Sequence, residues 1–548
     1  MPVVPTESSP VMARLAYRAV KPLFGTPVYT MMLRTDAEVR LAGAPPDLWP
    51  GDPREGEKLF RDSLSFVAEQ GQLGDVTDHV DGAGESRLAA LHGFSWLRHL
   101  RALGGEDARD KARRRALAWA DLYPAWNPVA WRSDIVANRL VAWLTHFPAF
   151  FVGDDKLAGR LMSSMMLQLR HLRRVAPHEL NGAPRLRALK GLVIGSACIE
   201  VEQRRLPQAL EMLGREIRRQ VLPDGGHACR CPTDHLEVLR DLIEVQATLD
   251  ALHMPVPQVV RTTIDRMAPM VRFFRHGDGG FALMNGSDEG DPSEIDQILA
   301  RTGVRDRPPD SAPDSGFDRI VAGRMVVICD TGAPPPAGLD QHAHAGTLSV
   351  EISVGDDRLI VNCGAGPNVS RDWQLAQRAT AAHSTVMVEE TNSSALLQTG
   401  GLGDRRANAS AVRNESDGQV WLEAQHDGYK SPLSLVHRRR IYMAPTGDDM
   451  RAEDMLEGKG GCGFTLRLHL HPRVQASVQH DRAGALLRLP DGEGWRLRAS
   501  GATIDLEDSV YLGTPGQMRR AQQIVMSGTT TAGQTVVKWA LQRDTSAG

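Results

Sequence analysis

DQHAHAGTLSVEISVGDDRLIVNCGAGPNVSRDWQLAQRATAAHSTVMVEET, residues 340–391, holds the pattern that decides the fold. His342 and His344 lie two apart, so in an extended chain they point to one face. Leu348, Val350, Ile352 and Val354 then alternate with Ser349, Glu351 and Ser353, the period of a half-buried strand. Gly355-Asp356-Asp357 is turn chemistry, and Leu359-Ile360-Val361 returns as a second strand. That hairpin delivers Asn362 near the level of His344, and His383 precedes a third apolar run, Val386-Met387-Val388. The expected fold in this region is therefore strand on strand, with His342, His344, Asn362 and His383 brought together.

The period of two extends outward from this stretch to the C-terminus. Residues 325–329, 420–424, 439–443, 465–471, 485–489, 495–499 and 536–541 read as short strands joined by Gly and Asp turns. Many short strands of this kind predict an antiparallel β-sandwich. Toward the N-terminus the period changes. Residues 108–122, 135–147, 157–175, 186–201 and 236–252 carry apolar positions three and four apart, with Arg-rich faces between them. Pro124, Pro148, Pro177, Pro184, Pro223 and Pro255 separate about ten such helices, which predicts a domain of paired helices. The domain reading is thus a first segment 1–54, a helical domain 55–290, a linker 291–317 and a sheet domain 318–548.

A chain of 548 residues is too long for one core, in keeping with two domains. Its net charge of -3 gives no global basic bias toward nucleic acid. Six cysteines in such a length do not make a disulfide scaffold. No apolar run is long enough to span a bilayer. At the N-terminus Arg14, Arg18 and Lys21 precede a mildly apolar stretch broken by Pro22, Gly25 and Pro27. It reads as an ordinary terminal helix, with a basic patch docking on a membrane surface as the alternative, and no signal-peptide cleavage site stands out.

Three further constellations bear on chemistry. Imidazoles at His342, His344 and His383, with a side-chain oxygen from Asn362, are a zinc-like donor set or simply polar strand ends. Residues 223–235, PDGGHACRCPTDH, form a polar loop between helices that holds His227, Arg230, Asp234 and His235. It reads as a site loop, a separate His-Cys metal site of non-standard spacing, or a structural loop. Asn181 opens the helix bearing Arg185, Arg187 and Lys190, as a cap or as a site residue. Arg378 either meets an acidic ligand or pairs with an acidic surface residue, and the basic run His437 to Arg440 reads as a solvated face.

The run HAHAGTLSVEISVGDDRLIVNCG…RATAAHSTV resembles the signature of the heparinase II/III-like proteins. DGGHACRCPTDHLEVLRDL resembles that family's Asp-Gly-Gly-His segment, and WNPVAWRSDIVANRLVAWL its Trp/Arg/Trp helix. The resemblance implies an incomplete (α/α) toroid followed by an antiparallel β-sandwich, and β-elimination of a uronate-containing acidic polysaccharide. Elimination requires a group that neutralises the uronate carboxylate, a base for the adjacent proton and an acid for the leaving oxygen. Carried over, Asn181 is the neutraliser and His342 the catalytic histidine of the sandwich. His227 is a further catalytic candidate, and Arg230, His235 and Arg378 are substrate-binding candidates. His344, Asn362 and His383 fall on the family's metal positions, which implies zinc or another divalent metal. Such lyases meet their substrate in the cell envelope or outside the cell, whereas the lack of a clear signal peptide points to the cytoplasm.

The sequence departs from the family in two places. The proton-transfer tyrosine belongs about two residues after Pro232, where this chain has Asp234. Asn362 stands where the lyases commonly have Asp, and a neutral amide removes one negative charge from the metal set. Tyr429, on the HDGY turn, is the expected substitute for the tyrosine, and Asp234 acts as base only with a raised pKa. The rival readings are a glycan-binding or structural relative that lost the tyrosine, and a metal-dependent glycan hydrolase that activates water.

Overall fold

The helical half begins with sequence-local causes. Asp154 accepts the Leu157 N–H at 3.0 Å and so caps the helix Asp155–Val175. Leu157, Leu161, Met165, Leu169 and Leu172 recur at helical spacing and are all buried. The helix Gly182–Cys198 is buried on nearly every face, which a surface helix never is. Gly191 permits this, because a Cβ there would stand 2.4 Å from that of Ala137 on the helix Ser133–Phe150. The buried Lys190 ammonium donates to Asp241 at 2.6 Å and Glu244 at 2.8 Å, tying in the helix Pro232–Ala251. Near the N-terminus, Thr26 caps the helix Pro27–Leu33, which buries Tyr29 and Leu33 and exposes Val28, Met31 and Met32.

These contacts come from a computed structural model that describes residues 17–34, 38–61, 82–366 and 370–544. Arg14 and the rest of the first sixteen residues lie outside the described residues. No helix among the described residues is long and apolar enough to cross a membrane. The chain divides into two compact units. One is Met1–Arg219 with Arg240–Ile264, and the other is Gln220–Leu239 with Asp265–Gly548.

In the second unit the strands are, in chain order, β1 (Ser311–Ala312), β2 (Phe317–Ala322), β3 (Met325–Asp330), β4 (Val350–Val354), β5 (Asp357–Val361) and β6 (Val386–Val388). There follow β7 (Ala409–Ser416), β8 (Gln419–His426), β9 (Leu435–Met443), β10 (Asp449–Gly458), β11 (Gly463–Leu470) and β12 (Gln475–Val478). The last are β13 (Gly484–Arg488), β14 (Gly494–Ser500), β15 (Thr503–Tyr511), β16 (Arg519–Thr529) and β17 (Gly533–Arg543). They form two antiparallel sheets. One runs β1-β2-β3-β4-β5-β11-β16-β15, with β6 also on β11, and the other runs β12-β13-β14-β17-β10-β9-β8-β7. One apolar core takes side chains from both sheets, among them Val327, Ile352, Leu466, Ile524, Ile441, Leu497 and Trp539. The expected helices-then-sandwich order is the order observed.

Three details differ from the sequence reading. The expected linker 291–317 contains the helix Pro292–Thr302 and β1. Asp291 caps that helix, Pro292 opens it, and Ile295, Ile298 and Leu299 are buried. The strand β4, expected half-buried, is buried throughout. Its polar residues find partners inside: His276 meets Ser353 at 2.9 Å and Glu351 at 3.1 Å. The run His437 to Arg440 is not a uniformly solvated face. On β9 its members alternate, so His437 and Arg439 are buried while Arg440 is exposed.

Candidate functional site

The loop around Asp224 is fixed before any chemistry is considered. The Asp224 carboxylate accepts the Gly226 N–H at 2.9 Å, and it accepts the Ser315 N–H at 2.6 Å and hydroxyl at 2.7 Å. Gly225 sits at a φ of +89°, and a Cβ there would lie 2.1 Å from the Arg266 carbonyl oxygen, so no other residue fits. Next, the His227 ring is enclosed. Its Nε2–H donates to the Gln220 amide oxygen at 2.8 Å, and its Nδ1 accepts the Cys229 N–H at 3.3 Å and touches the Cys229 sulfur. Burial pushes its pKa down to about 3, so it is neutral near pH 7 with both nitrogens engaged.

Arg230 follows at a φ of +61°. Its guanidinium donates to the carbonyls of Ser315 (2.7 Å), Ala333 (2.9 Å) and Gly316 (2.8 Å) and to Asp330 Oδ1 (2.5 Å). It also lies over the Phe317 ring. Every arm of the fork is thus directed at the protein itself. Asp234, half-buried in the first turn of the helix Pro232–Ala251, accepts from the Cys229 thiol at 3.6 Å. His235 donates from Nε2 to the Met267 carbonyl at 2.9 Å, and burial holds its pKa at about 4.

The neighbouring elements carry the histidines. Thr233 meets the Ser287 hydroxyl at 2.9 Å, and Gly286 on that loop packs against His342, which is exposed. The same loop therefore abuts both the Asp234 turn and His342. His344 is buried, with its N–H on Asn285 Oδ1 at 3.2 Å and its Nδ1 3.0 Å from His383 Nε2. The other ring nitrogen of His383, Nδ1, donates to the Ala379 carbonyl at 2.8 Å. That leaves Nε2 as acceptor and His344 Nδ1–H as donor, a complete chain between neutral rings. Burial supports it, lowering the His383 pKa to about 4 and holding that of His344 well below the ordinary imidazole value. Gly346 makes room, since a Cβ there would stand 2.6 Å from the His383 ring.

The residues of the expected metal set are engaged in hydrogen bonds. Asn362 Oδ1 accepts the Ser384 N–H at 2.9 Å, and its Nδ2 donates to the Leu283 carbonyl at 3.4 Å. The backbone orients the amide. The described residues contain no group of three or more His, Cys, Asp or Glu side chains able to hold a metal. His344 and His383 are hydrogen-bonded to each other, and Asn362 is held beside them through the Ser384 N–H.

Three other expected residues have structural surroundings. Arg378 donates to the carbonyls of Ala343 (2.9 Å), Leu397 (3.3 Å) and Gly401 (2.6 Å), not to a surface carboxylate. Tyr429 is fully buried in the sandwich core, its hydroxyl donating to the Val386 carbonyl at 2.7 Å. It therefore cannot replace a tyrosine that must meet substrate. Asn181, in the first unit, stands at the start of the helix Gly182–Cys198 and accepts from Arg185 at 3.0 Å. Of the expected residues, His342 is exposed and Asn181 and Asp234 are partly exposed. The buried Glu351, which accepts the N–H groups of Leu283 and Asn362 at 3.0 Å each, was not singled out by the sequence. Its only trace there was its place in an alternating strand.

The enclosed histidines predict a pH response. His227, His235, His383 and His469 all have folded pKa values near 3 or 4, below the ordinary value of about 6.5. The unfolded chain binds protons there that the folded chain refuses, so stability present above pH ~6.5 is lost as pH falls toward ~4. Each histidine contributes about 1.4 kcal/mol per pH unit within that window. Thermal melts at pH 7.5 and 5.5 are expected to show a markedly lower midpoint at the lower pH. Coincident midpoints would mean that these rings are not held neutral.

Comparison with known proteins is consistent with this geometry. Residues 304–540 match the family model "Heparinase II/III-like, C-terminal". The chain is 31% identical over 542 residues to FtsZ-localized protein C of Caulobacter vibrioides, covering 94% of this chain and 92% of that protein. The crystal structure of heparinase III superposes with a TM-score of 0.71 at 11% identity, covering 99% of this chain and 92% of that one. Heparan sulfate lyase HepC from Pedobacter heparinus superposes at 0.61 with 15% identity, covering 83% and 76% respectively. At such identities the two structures establish the shared fold. With the sandwich signature matched by the family model and a relative aligned along nearly its whole length, the chain belongs to the heparinase II/III-like family.

Proposed function

We propose that this protein keeps the fold of the polysaccharide lyases without their elimination chemistry, and acts as a binding protein associated with FtsZ. The observation that carries the first half is the state of the proton-transfer position. Asp234 occupies the place of the expected tyrosine, and the neighbouring His227 is sealed between Gln220 and Cys229. A carboxylate and an enclosed neutral imidazole supply no phenol-like acid to a leaving glycosidic oxygen. Arg230 and Arg378, which would hold an acidic glycan, are bonded to the protein's own backbone. The second half rests on the relative named as FtsZ-localized, whose likeness runs through both units.

One observation favours the rival reading of uronate elimination. His342 and Asp234 both retain contact with solvent and flank the same loop at Gly286 and Ser287. Two measurements separate the readings. The purified full chain is incubated with a panel of uronate polysaccharides beside its His342→Ala variant, and ultraviolet absorbance of unsaturated ends is followed. No rise is expected from either protein. A rise in the wild type that disappears in the variant would establish elimination and overturn the proposal. In the second measurement the chain is sedimented with FtsZ polymers assembled on GTP. It is expected in the pellet only when polymer is present, and a chain that stays in the supernatant overturns the FtsZ association.

A further inference from the structure

A cluster of arginines lines one further cleft. Within the second unit, the C-terminal end of the helix Gln258–Phe273, the helix Pro292–Thr302 and β2 enclose a cleft of 710 Å³. Its lining includes Arg272, Arg275, Arg305 and Arg319 against one carboxylate, Asp296. The arginines are braced from behind. Arg275 donates to the Gly279 carbonyl and to Asp296 at 2.6 Å each, so that carboxylate is already engaged. Arg319 Nη1 donates to the carbonyls of Phe273 (2.9 Å) and Arg275 (2.8 Å). Arg272 Nη2 donates to the Val304 carbonyl at 2.6 Å.

This bracing leaves donors without acceptors. Arg272 Nη1 and Arg319 Nε are buried and have no hydrogen-bond partner among the described residues. Carbonyl acceptors fix the guanidinium planes but supply no negative charge. Burial lowers the pKa of Arg319 to about 10 and also lowers that of Arg272, and Asp310 and Asp306 only partly oppose this. Arg305 stands exposed at the mouth. Leu299 and Val304 give the same cleft an apolar wall.

We propose that this cleft binds a small polyanion of the diphosphate type. Several guanidinium forks held in fixed orientation by backbone carbonyls match tetrahedral oxyanions, which accept two parallel N–H bonds at a time. The surplus of cations over carboxylates calls for more than one negative charge on the ligand. The volume suits a small molecule rather than a chain segment.

The probe is inorganic pyrophosphate, titrated calorimetrically into the full chain and compared with sodium sulfate at matched ionic strength. One saturable site is expected, with a rise in melting temperature that sulfate does not reproduce. Arg305→Glu, at an exposed position, is expected to weaken pyrophosphate by about tenfold or more while the free protein melts as before. Arg272→Gln serves as a second variant and is expected to weaken binding similarly. Absence of binding at millimolar pyrophosphate, wild-type affinity retained in both variants, or an identical shift with sulfate would each overturn the proposal.

Discussion

Arg230→Met is expected to lower the stability of the second unit by about 3–5 kcal/mol, the usual cost of removing one partner from a buried ion pair. The pair is Arg230 with Asp330, at 2.5 Å, and both side chains are almost wholly buried. Burial already raises the Asp330 pKa, and the guanidinium beside it is the main group that opposes that rise, helped by the Gly332 N–H. Without Arg230 the carboxylate is left in a dry site, the carbonyls of Ser315 and Ala333 lose their donor, and that of Gly316 keeps only the Thr331 N–H. Arg230→Lys is expected to recover only part of the loss, since an ammonium cannot serve acceptors fanned around a planar fork. Urea unfolding followed by tryptophan fluorescence measures the difference. The result also discriminates between roles. If Arg230 were a substrate-binding residue, its loss would leave the denaturation midpoint in place and alter only ligand retention.

The comparison of sequence and structure turns on which side chains face which partner. Periodicity was enough to place the helices, the strand-rich half and the hairpin of β4 and β5, because burial of apolar residues sets the period. Periodicity was also available at His437 to Arg440, where four polar letters in a row obscured it. On a strand such a run must divide between two faces, and Arg439 and His437 take the inner one because Asp454 meets them there. The helix Pro292–Thr302 was hidden by the polar, Pro-containing residues after it, although Asp291-Pro292 is a readable start signal. The site was less legible for a different reason. Residue type and spacing nominated Arg230, His227, Arg378 and Tyr429 for chemistry. Whether such a group faces solvent or its own backbone depends on long-range partners such as Ser315, Gln220, Leu397 and Val386. Spacing along the chain carries no record of those partners. Asn362 shows the same limit, since its amide is oriented by Ser384 and Leu283.

Asp454→Ala is expected to destabilise the sandwich by a similar ~3–5 kcal/mol, with effects that reach the histidine cluster. The Asp454 carboxylate accepts from His437 Nε2 at 2.8 Å, Arg439 Nε at 2.7 Å and Trp539 Nε1 at 2.9 Å, all buried. Arg439 and His437 beside it overcome its desolvation and hold its pKa well below the usual carboxylate range. Its stabilising contribution is therefore fully present above pH ~4 and is lost only as pH falls through its depressed folded value. That places it below the histidine window and divides acid unfolding into two ranges. The alanine variant is expected to lose the Asp454 share of the lower range, which Asp278 and Glu289 also carry, and to keep the upper. Arg439 also donates from Nη1 to the carbonyls of Leu348 at 2.6 Å and Ser384 at 3.0 Å. Leu348 has a φ of +62°, a strained conformation for a branched side chain that persists only while its surroundings hold it. Ser384 follows His383 directly, and Leu348 lies two residues beyond Gly346, against which the His383 ring packs. Freed from Asp454, Arg439 loses the anchor that sets its position, and both carbonyls lose a well-placed donor. Amide hydrogen exchange is expected to accelerate around residues 344–350 and 383–385 in Asp454→Ala, while β12 to β14 keep their protection. Uniform acceleration over the whole sandwich would show that Asp454 stabilises the core at large rather than the turn that carries the histidines.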